Sequence, residues 1–159
     1  MDPLQLSMIF RLMVASALGG ALGFEREYVG KSAGLRTYTL VSFGAALFTI
    51  LSDEGLRGYL GITSFDPSRI ISQIIVGVGF IGGGLIIFQE KENRVHGLTT
   101  AAGLWAVAAI GCAVGLEYYS IATFSTIFIL VLLSGTRYFN IEQRIHKMSG
   151  NTEKDDNNA

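Results

Sequence analysis

The sequence contains few of the residues that form disulfides, carry charge or take part in catalysis in soluble proteins. Of its 159 residues, one is cysteine, two are proline and 16% are charged, whereas soluble domains are roughly 25% charged. The single Cys112 excludes an internal disulfide framework and a cysteine-rich zinc site. The net charge of -1 provides no basic surface for nucleic acid, so we expect no nucleic-acid partner.

Sequence signatures of enzyme chemistry are missing as well. There is no nucleophile elbow and no Walker-type phosphate loop, and the glycine-rich GGALGFER ends an apolar run where a nucleotide-binding loop would follow a strand. His96 and His146 lie far apart, and no carboxylate falls inside the apolar runs. Hard cations such as magnesium prefer several oxygen ligands. We therefore predict no catalytic residue, no cofactor and no metal site.

Long apolar runs dominate what is present. Half of the residues are hydrophobic and the mean hydropathy is +0.44. A helix of about 19 residues rises about 28 Å, close to the ~30 Å thickness of the hydrocarbon core. We predict an all-α polytopic membrane bundle of five helices. The predicted spans are Leu6–Phe24, Thr37–Ser52, Ile70–Phe88, Leu98–Leu116 and Tyr119–Phe139.

The first apolar run is interpreted as a retained span. Ala15-Ser16-Ala17 resembles a cleavage site, but no basic residue precedes the run and Arg11 interrupts it. Because Arg11 lies only about five residues inside this span, we expect its side chain to reach the interface by snorkelling.

The distribution of charge predicts the topology. Nine of the twelve basic residues fall in the loops after spans one and three and in the C-terminal tail. By the positive-inside rule the N-terminus is outside and the C-terminus is cytoplasmic. Residues 1–139 form the predicted membrane domain, and residues 140–159 form a short cytoplasmic tail, whose polar end we expect to be largely disordered.

Glycines recur inside the spans at helical spacing. Three Gly-xxx-Gly pairs occur in spans one, three and four, which predicts that these three spans form a close core. In span three, the run 82–84 is compatible either with a broken helix or with close packing. Span five instead presents a lipid-facing apolar stripe. The glycines that we expect at helix contacts are Gly19, Gly23, Gly77, Gly79, Gly82, Gly83, Gly111 and Gly115.

A polar stripe marks one face of span three. Helical spacing places Asp66, Arg69, Gln73 and Gly77 on that face. In one interpretation Asp66 caps the helix, Arg69 snorkels and Gln73 binds a neighbouring helix. In the other, the stripe begins a polar path or a binding cleft.

A second group of charges lies at the end of span one. Glu25, Arg26 and Glu27 are followed by the loop residues Arg36 and Arg94. These charges either form a solvated surface set, worth about 0–1 kcal/mol per pair, or hold the loops in one arrangement. At the start of span four, a threonine after residue 97 is predicted to cap the helix.

Four ordered motifs resemble the MgtC/SapB family of bacterial inner-membrane proteins. They read GALGFEREYVGKSAGLRT, FGAALFT, DPSRIISQIIVGVGFIGGG and VHGLTTAAGLWAVAAIG. The candidate functional residues, from these motifs and the polar clusters, are Glu25, Arg26, Arg36, Asp66, Arg69, Gln73, Arg94, His96, Thr99 and Thr100. The further motif positions are Gly34, Leu35, Thr37, Gly77, Phe80, Gly82, Gly97, Leu98 and Trp105.

The resemblance implies five membrane spans and a link to growth at low magnesium, with virulence in some relatives. It also implies that some members act on other membrane proteins, including the proton-driven ATP synthase. The chain departs from the pattern at His96, where arginine is usual, and at Gly103, where threonine is common. If that arginine is essential, we expect a weakened or pH-sensitive version here. We also expect this short form to lack the cytoplasmic C-terminal domain of some relatives.

Three functional hypotheses follow for a protein of the bacterial inner membrane. The first is a non-enzymatic regulator that binds membrane-protein partners or itself. The alternative is a small cation (Mg²⁺) transporter or channel that uses the polar stripe of span three. The third is a structural subunit whose only task is assembly.

Overall fold

The computed structural model describes residues 2–54, 66, 68–89 and 94–135, without the side chains of residues 87–89 and 94. This part of the chain contains five helices and a short antiparallel hairpin. The elements are α1 (Pro3–Tyr28), α2 (Leu35–Asp53), α3 (Ser68–Gly83), β1 (Ile87–Gln89), β2 (Arg94–His96), α4 (Leu98–Gly115) and α5 (Tyr119–Gly135).

The chain divides into two compact units. Residues 1–126 form the first unit, which contains the first four helices, the hairpin and the start of α5. Residues 127–159 form the second, of which the structure describes the end of α5. The predicted tail, residues 140–159, lies outside the described residues.

The predicted all-α membrane architecture is confirmed. Helices α1, α2 and α4 are long and apolar enough to cross a membrane, and α3 and α5 are shorter apolar helices. The second span, Thr37–Ser52, is short for a membrane helix, and we expect it to be extended by a residue or two at either end or to be sheltered by its neighbours. Helix α2 contains 19 residues and extends two residues before and one residue after that span. The lipid-facing stripe of α5 is largely exposed; its residues are Ile121, Phe124, Phe128 and Leu132.

The third span is shorter than the prediction of Ile70–Phe88. Helix α3 ends at Gly83, and a turn at Gly84 leads into β1. Strand β1 pairs with β2 in the register Ile87 to His96. The apolar run 81–88 misled the prediction, because short apolar runs fit a helix or a strand equally well. His96 is therefore the last residue of strand β2.

Helix α2 lies between α1 and α4, and small residues make this possible. A Cβ added at Gly19 of α1 would lie 2.5 Å from the Ser42 Cβ, and one at Gly111 of α4 would lie 2.3 Å from the Ser42 carbonyl oxygen. The Ser42 hydroxyl donates a hydrogen bond to the Ala15 carbonyl at 2.8 Å. Both neighbours of α2 thus reach the same buried serine.

The close glycine contacts with α2, which we call the glycine seams, continue along α1 and α4. A Cβ at Gly23 would lie 2.7 Å from the Leu35 Cα, and one at Gly115 would lie 2.8 Å from the Thr49 Cβ. Such distances are below van der Waals contact, so these positions admit glycine alone without a backbone shift. Spans one and four therefore pack closely against span two, and the prediction of a core of spans one, three and four is wrong.

The glycines of α3 behave differently. A Cβ at Gly82 would make ordinary contact with Ala101 of α4, 3.5 Å away. At Gly77, Gly79 and Gly83 an added Cβ would meet no atom within 4 Å in the described part of the chain. A packing role for these three glycines stays a prediction that requires a partner outside this arrangement.

We predict that Gly111→Ala destabilises the bundle by about 1–3 kcal/mol, because the new methyl group overpacks the α2–α4 seam. Gly79→Ala is the matched control. It should be neutral or slightly stabilising, since alanine favours a helix over glycine by up to about 1 kcal/mol and the site is open. Thermal unfolding of both variants in detergent measures the difference. Equal unfolding midpoints for the two variants would contradict tight packing of α2 against α4 at Gly111.

Candidate functional site

Glu27 stabilises the start of α2, at the end of the bundle that we call the Lys31 end. The Leu35 backbone N–H donates a hydrogen bond to Glu27 Oε2 at 2.8 Å. A Cβ at Gly34 would lie 2.7 Å from that oxygen, so glycine is needed for the carboxylate to reach the helix. A carboxylate at a helix N-terminus also interacts favourably with the helix dipole.

Arg26 is buried beside Glu25, with only 4% of its surface exposed. Its Nη2 donates to Glu25 Oε1 at 2.6 Å, and its Nε donates to the second carboxylate oxygen. This fork geometry satisfies both charges in a bidentate pair. The expected neighbour Arg36 is exposed, and the side chain of Arg94 lies outside the described residues.

A polar pocket of about 450 Å³ lies at the Lys31 end. Residues 30–32 of the loop after α1 form one wall, and residues 95–100 form the other. His96, Thr99 and Thr100 are therefore brought together with Lys31. The motifs of the first loop and of span four, distant in sequence, share this pocket.

The start of α4 differs from the prediction. Gly97 is the N-cap residue, and no side chain bonds the helix start, so the predicted threonine cap is wrong. Gly97 has φ +90°, and a Cβ there would lie 2.0 Å from the Leu85 carbonyl oxygen. Only glycine fits both constraints, which turns the chain sharply from β2 into α4.

Tyr38 ties α2 to the same region. Its buried hydroxyl donates to the Thr100 carbonyl at 3.3 Å. A Cβ at Gly103 would lie 2.2 Å from that hydroxyl. The departure from threonine at Gly103 therefore leaves room for the tyrosine. Sequence reasoning did not identify Tyr38 as a contact of the motif VHGLTTAAGLWAVAAIG.

At the opposite end of the bundle, the polar stripe of α3 begins with Asp66. The Asp66 carboxylate accepts a hydrogen bond from the Ser68 backbone N–H at 2.9 Å, which agrees with the predicted capping role. Hydrogen bonds from Ser68 lower the pKa of this exposed carboxyl group, so it stays ionised at neutral pH. Arg69 and Gln73 are exposed and lie together on the wall of a groove between α2 and α3.

The same end contains a buried ion cluster that sequence reasoning missed. Arg11 is 4% exposed, so the expectation that it snorkels is wrong. Its Nη2 lies 3.3 Å from Glu54 Oε1 and also contacts the Glu117 carboxylate. Its Nη1 donates to the Gly115 carbonyl at 3.2 Å. One guanidinium therefore connects α1 to the ends of α2 and α4.

The cluster has two further distinctive features. Glu117 has φ +66°, the sole non-glycine residue with positive φ in the described ranges. The buried Nε of Arg11 has no hydrogen-bond partner among the described residues. An arginine inside an apolar run, with carboxylates at the ends of two other spans, was the available sequence signal. Within the described residues, no three His, Cys, Asp or Glu side chains group as a metal site.

A second surface of α3 points away from the groove, and we call it the glycine face. It consists of Ser72, Val76, Gly79 and Gly83, which lie on one side of the helix at helical spacing and are all exposed. The adjacent Phe80 is 86% exposed. The glycine face is a smooth, largely apolar surface on a short apolar helix.

Comparisons with known proteins show what the chain is similar to. The family model described as "MgtC family" matches residues 12–141. The "Putative magnesium transporter YhiD" of Escherichia coli K12 is 42% identical over 79% of this chain and 58% of its own length. "Protein SrpB" of Synechococcus elongatus is 38% identical over 82% of this chain and 75% of its own. "Protein MgtC" of Brucella abortus is 45% identical over 74% and 46%, respectively. No solved structure matches the chain significantly.

We predict that Arg11→Met destabilises the protein by about 3–5 kcal/mol, because it removes the buried guanidinium that pairs with the buried Glu54. The Glu54 side chain is 6% exposed, whereas that of Glu117 is 52% exposed. Glu117→Gln should therefore cost about 1 kcal/mol or less. Unfolding midpoints in detergent at neutral pH compare the two variants, and similar losses would contradict a central role for Arg11.

Proposed function

Because the chain belongs to the MgtC family, we propose that this multi-pass membrane protein is a non-enzymatic regulator of other membrane proteins. It acts in the bacterial inner membrane by binding a partner helix or a second copy of itself. Adaptation to low magnesium is the process that the family implies. The chain spans about 58% of the length of its E. coli relative, so the activity of the whole relative is part of the proposal.

The proposal is supported by the glycine face of α3, which is exposed in the described part of the chain. The chain uses two Gly-xxx-Gly pairs, Gly19/Gly23 and Gly111/Gly115, for close contact with α2. The third pair, Gly79/Gly83, has the same spacing, but a Cβ added at either glycine would meet no atom of the described residues within 4 Å. In lipid, small residues allow helices to approach closely, and packing contacts then hold them together. The glycine face thus has the properties of a docking surface for another membrane helix.

A cation transporter is the second candidate function. Its support is the name of the E. coli relative, which describes a magnesium transporter. The exposed Asp66 and Gln73 at the start of α3 would then form the entrance of a path. The described residues contain no group of three or more His, Cys, Asp or Glu side chains that could hold a metal ion. The regulator is therefore the first candidate.

Leucine on the glycine face should weaken partner binding. We expect Gly79→Leu and Gly83→Leu to reduce capture of crosslinked partners, or of a second copy, by about fivefold to thirtyfold from membranes of magnesium-starved cells. Such factors correspond to a loss of one or two kcal/mol. The matched control is Gly44→Leu, which also projects into open space but on α2. Undiminished capture with both α3 variants would overturn the docking role.

A flux measurement separates the two candidates. Purified full-length protein in liposomes with an internal magnesium dye should give no flux above empty liposomes if it is a regulator. Flux that falls on Asp66→Asn or Gln73→Ala, with thermal stability unchanged, would instead establish the transporter.

A further inference from the structure

We propose that the groove between α2 and α3 is a binding site for an anionic phospholipid. One acyl chain lies along the groove, and the phosphate group binds Arg69 at its end. This site is separate from the glycine face, which lies on another side of α3.

The groove has the size and the lining of a lipid site. Its volume is about 740 Å³, within the usual range of small-molecule pockets. Phe48 on α2 and Ile81 on α3 belong to its apolar walls, and Arg69 and Gln73 supply its polar side chains. An apolar cavity does not hold water, so in a bilayer hydrocarbon fills this space.

Two glycines create the groove. Gly44 on α2 and Gly77 on α3 both belong to its lining, and a Cβ added at either would meet no atom of the described residues within 4 Å. The missing side chains leave a channel between helices that pack elsewhere. The channel therefore depends on glycine for its open volume, in contrast to the α2 seams, where glycine allows contact.

The length of the groove fits one leaflet. Arg69 and Ile81 are twelve residues apart in α3, which corresponds to about 18 Å along the helix axis. Half of the ~30 Å hydrocarbon core is about 15 Å. An acyl chain that starts at the level of Arg69 therefore reaches the middle of the bilayer near Ile81.

The charge at the end of the groove selects the head group. Arg69 is exposed in the first turn of α3, where the helix dipole also favours an anion. A guanidinium binds phosphate oxygens in a bidentate manner. The ionised Asp66 lies close enough to interact with Arg69, and it reduces this preference without occupying the apolar channel.

A tryptophan in the groove tests the proposal. Trp105 is the single tryptophan of the chain, so Trp105→Phe with Phe48→Trp places one reporter on the groove wall. The full-length protein is reconstituted in phosphatidylcholine vesicles containing a small, equal fraction of brominated phosphatidylglycerol or brominated phosphatidylcholine. We expect about fivefold stronger association of the phosphatidylglycerol, the preference typical of one basic side chain at a membrane surface.

Variants separate the head-group contact from the groove. Arg69→Gln should abolish the preference, Arg69→Lys should keep part of it, and Asp66→Asn should increase it. Gly77→Leu or Gly44→Leu should fill the channel and reduce quenching, whereas Gly79→Leu, on the glycine face, should leave it unchanged. Native mass spectrometry of the unsubstituted protein provides a second measurement, with phosphatidylglycerol retained over phosphatidylcholine.

Three results would overturn the proposal. Equal quenching by the two lipids would exclude head-group selection, and a preference that survives Arg69→Gln would exclude Arg69 as its source. Insensitivity of the groove tryptophan to every brominated lipid would show that a protein segment, such as a second copy, fills the groove. None of these results bears on partner capture through the glycine face.

Discussion

Close approach of helix backbones at Ser42 is the constraint on which the bundle depends. α1 and α4 each place a glycine against this residue, and its hydroxyl bonds the α1 backbone. In lipid, large apolar side chains gain little by leaving hydrocarbon for a helix contact, so small residues decide which helices pack. Small side chains therefore line the closest helix contacts. Large apolar side chains occur both in the core, as at Leu22 and Leu104, and on the exposed surface, as at Leu40 and Phe48.

Charged side chains add a second constraint on how the helices are arranged. Arg26 pairs with its sequence neighbour Glu25, so this contact fixes little beyond the end of α1. Arg11 instead contacts residues 43 and 106 positions away in sequence, on two other elements. A buried pair adds little net stability, but an unpaired buried charge is expensive. The cluster thus penalises any arrangement in which α1, α2 and α4 slide relative to one another.

The sequence predicted the helices well because apolar runs of membrane length have few alternative structures. It predicted the contacts less well. The Gly-xxx-Gly pairs identified two surfaces that do pack, but their common partner α2 has no such pair. The signal on α2 was a different stripe of small residues, at Ser42, Ala45, Ala46 and Thr49, which all touch the glycine seams.

The candidate site was predictable only in part. The cap at Asp66 follows from local sequence, and the structure places it as expected. The pocket that joins Lys31 to His96 depends on the hairpin, which has no turn signature strong enough to predict. The partners of Arg11 follow from tertiary arrangement, because nothing near Arg11 in sequence carries a compensating charge.

The early end of α3 has a mechanical consequence. Its 16 residues rise about 24 Å, some 6 Å less than the ~30 Å hydrocarbon core. A bilayer that α3 crosses must thin beside this helix, at a modest elastic cost for each ångström of mismatch. Two proteins that thin the bilayer share that cost when they lie side by side. A short helix therefore draws neighbours together through deformation of the membrane, before any side chains touch.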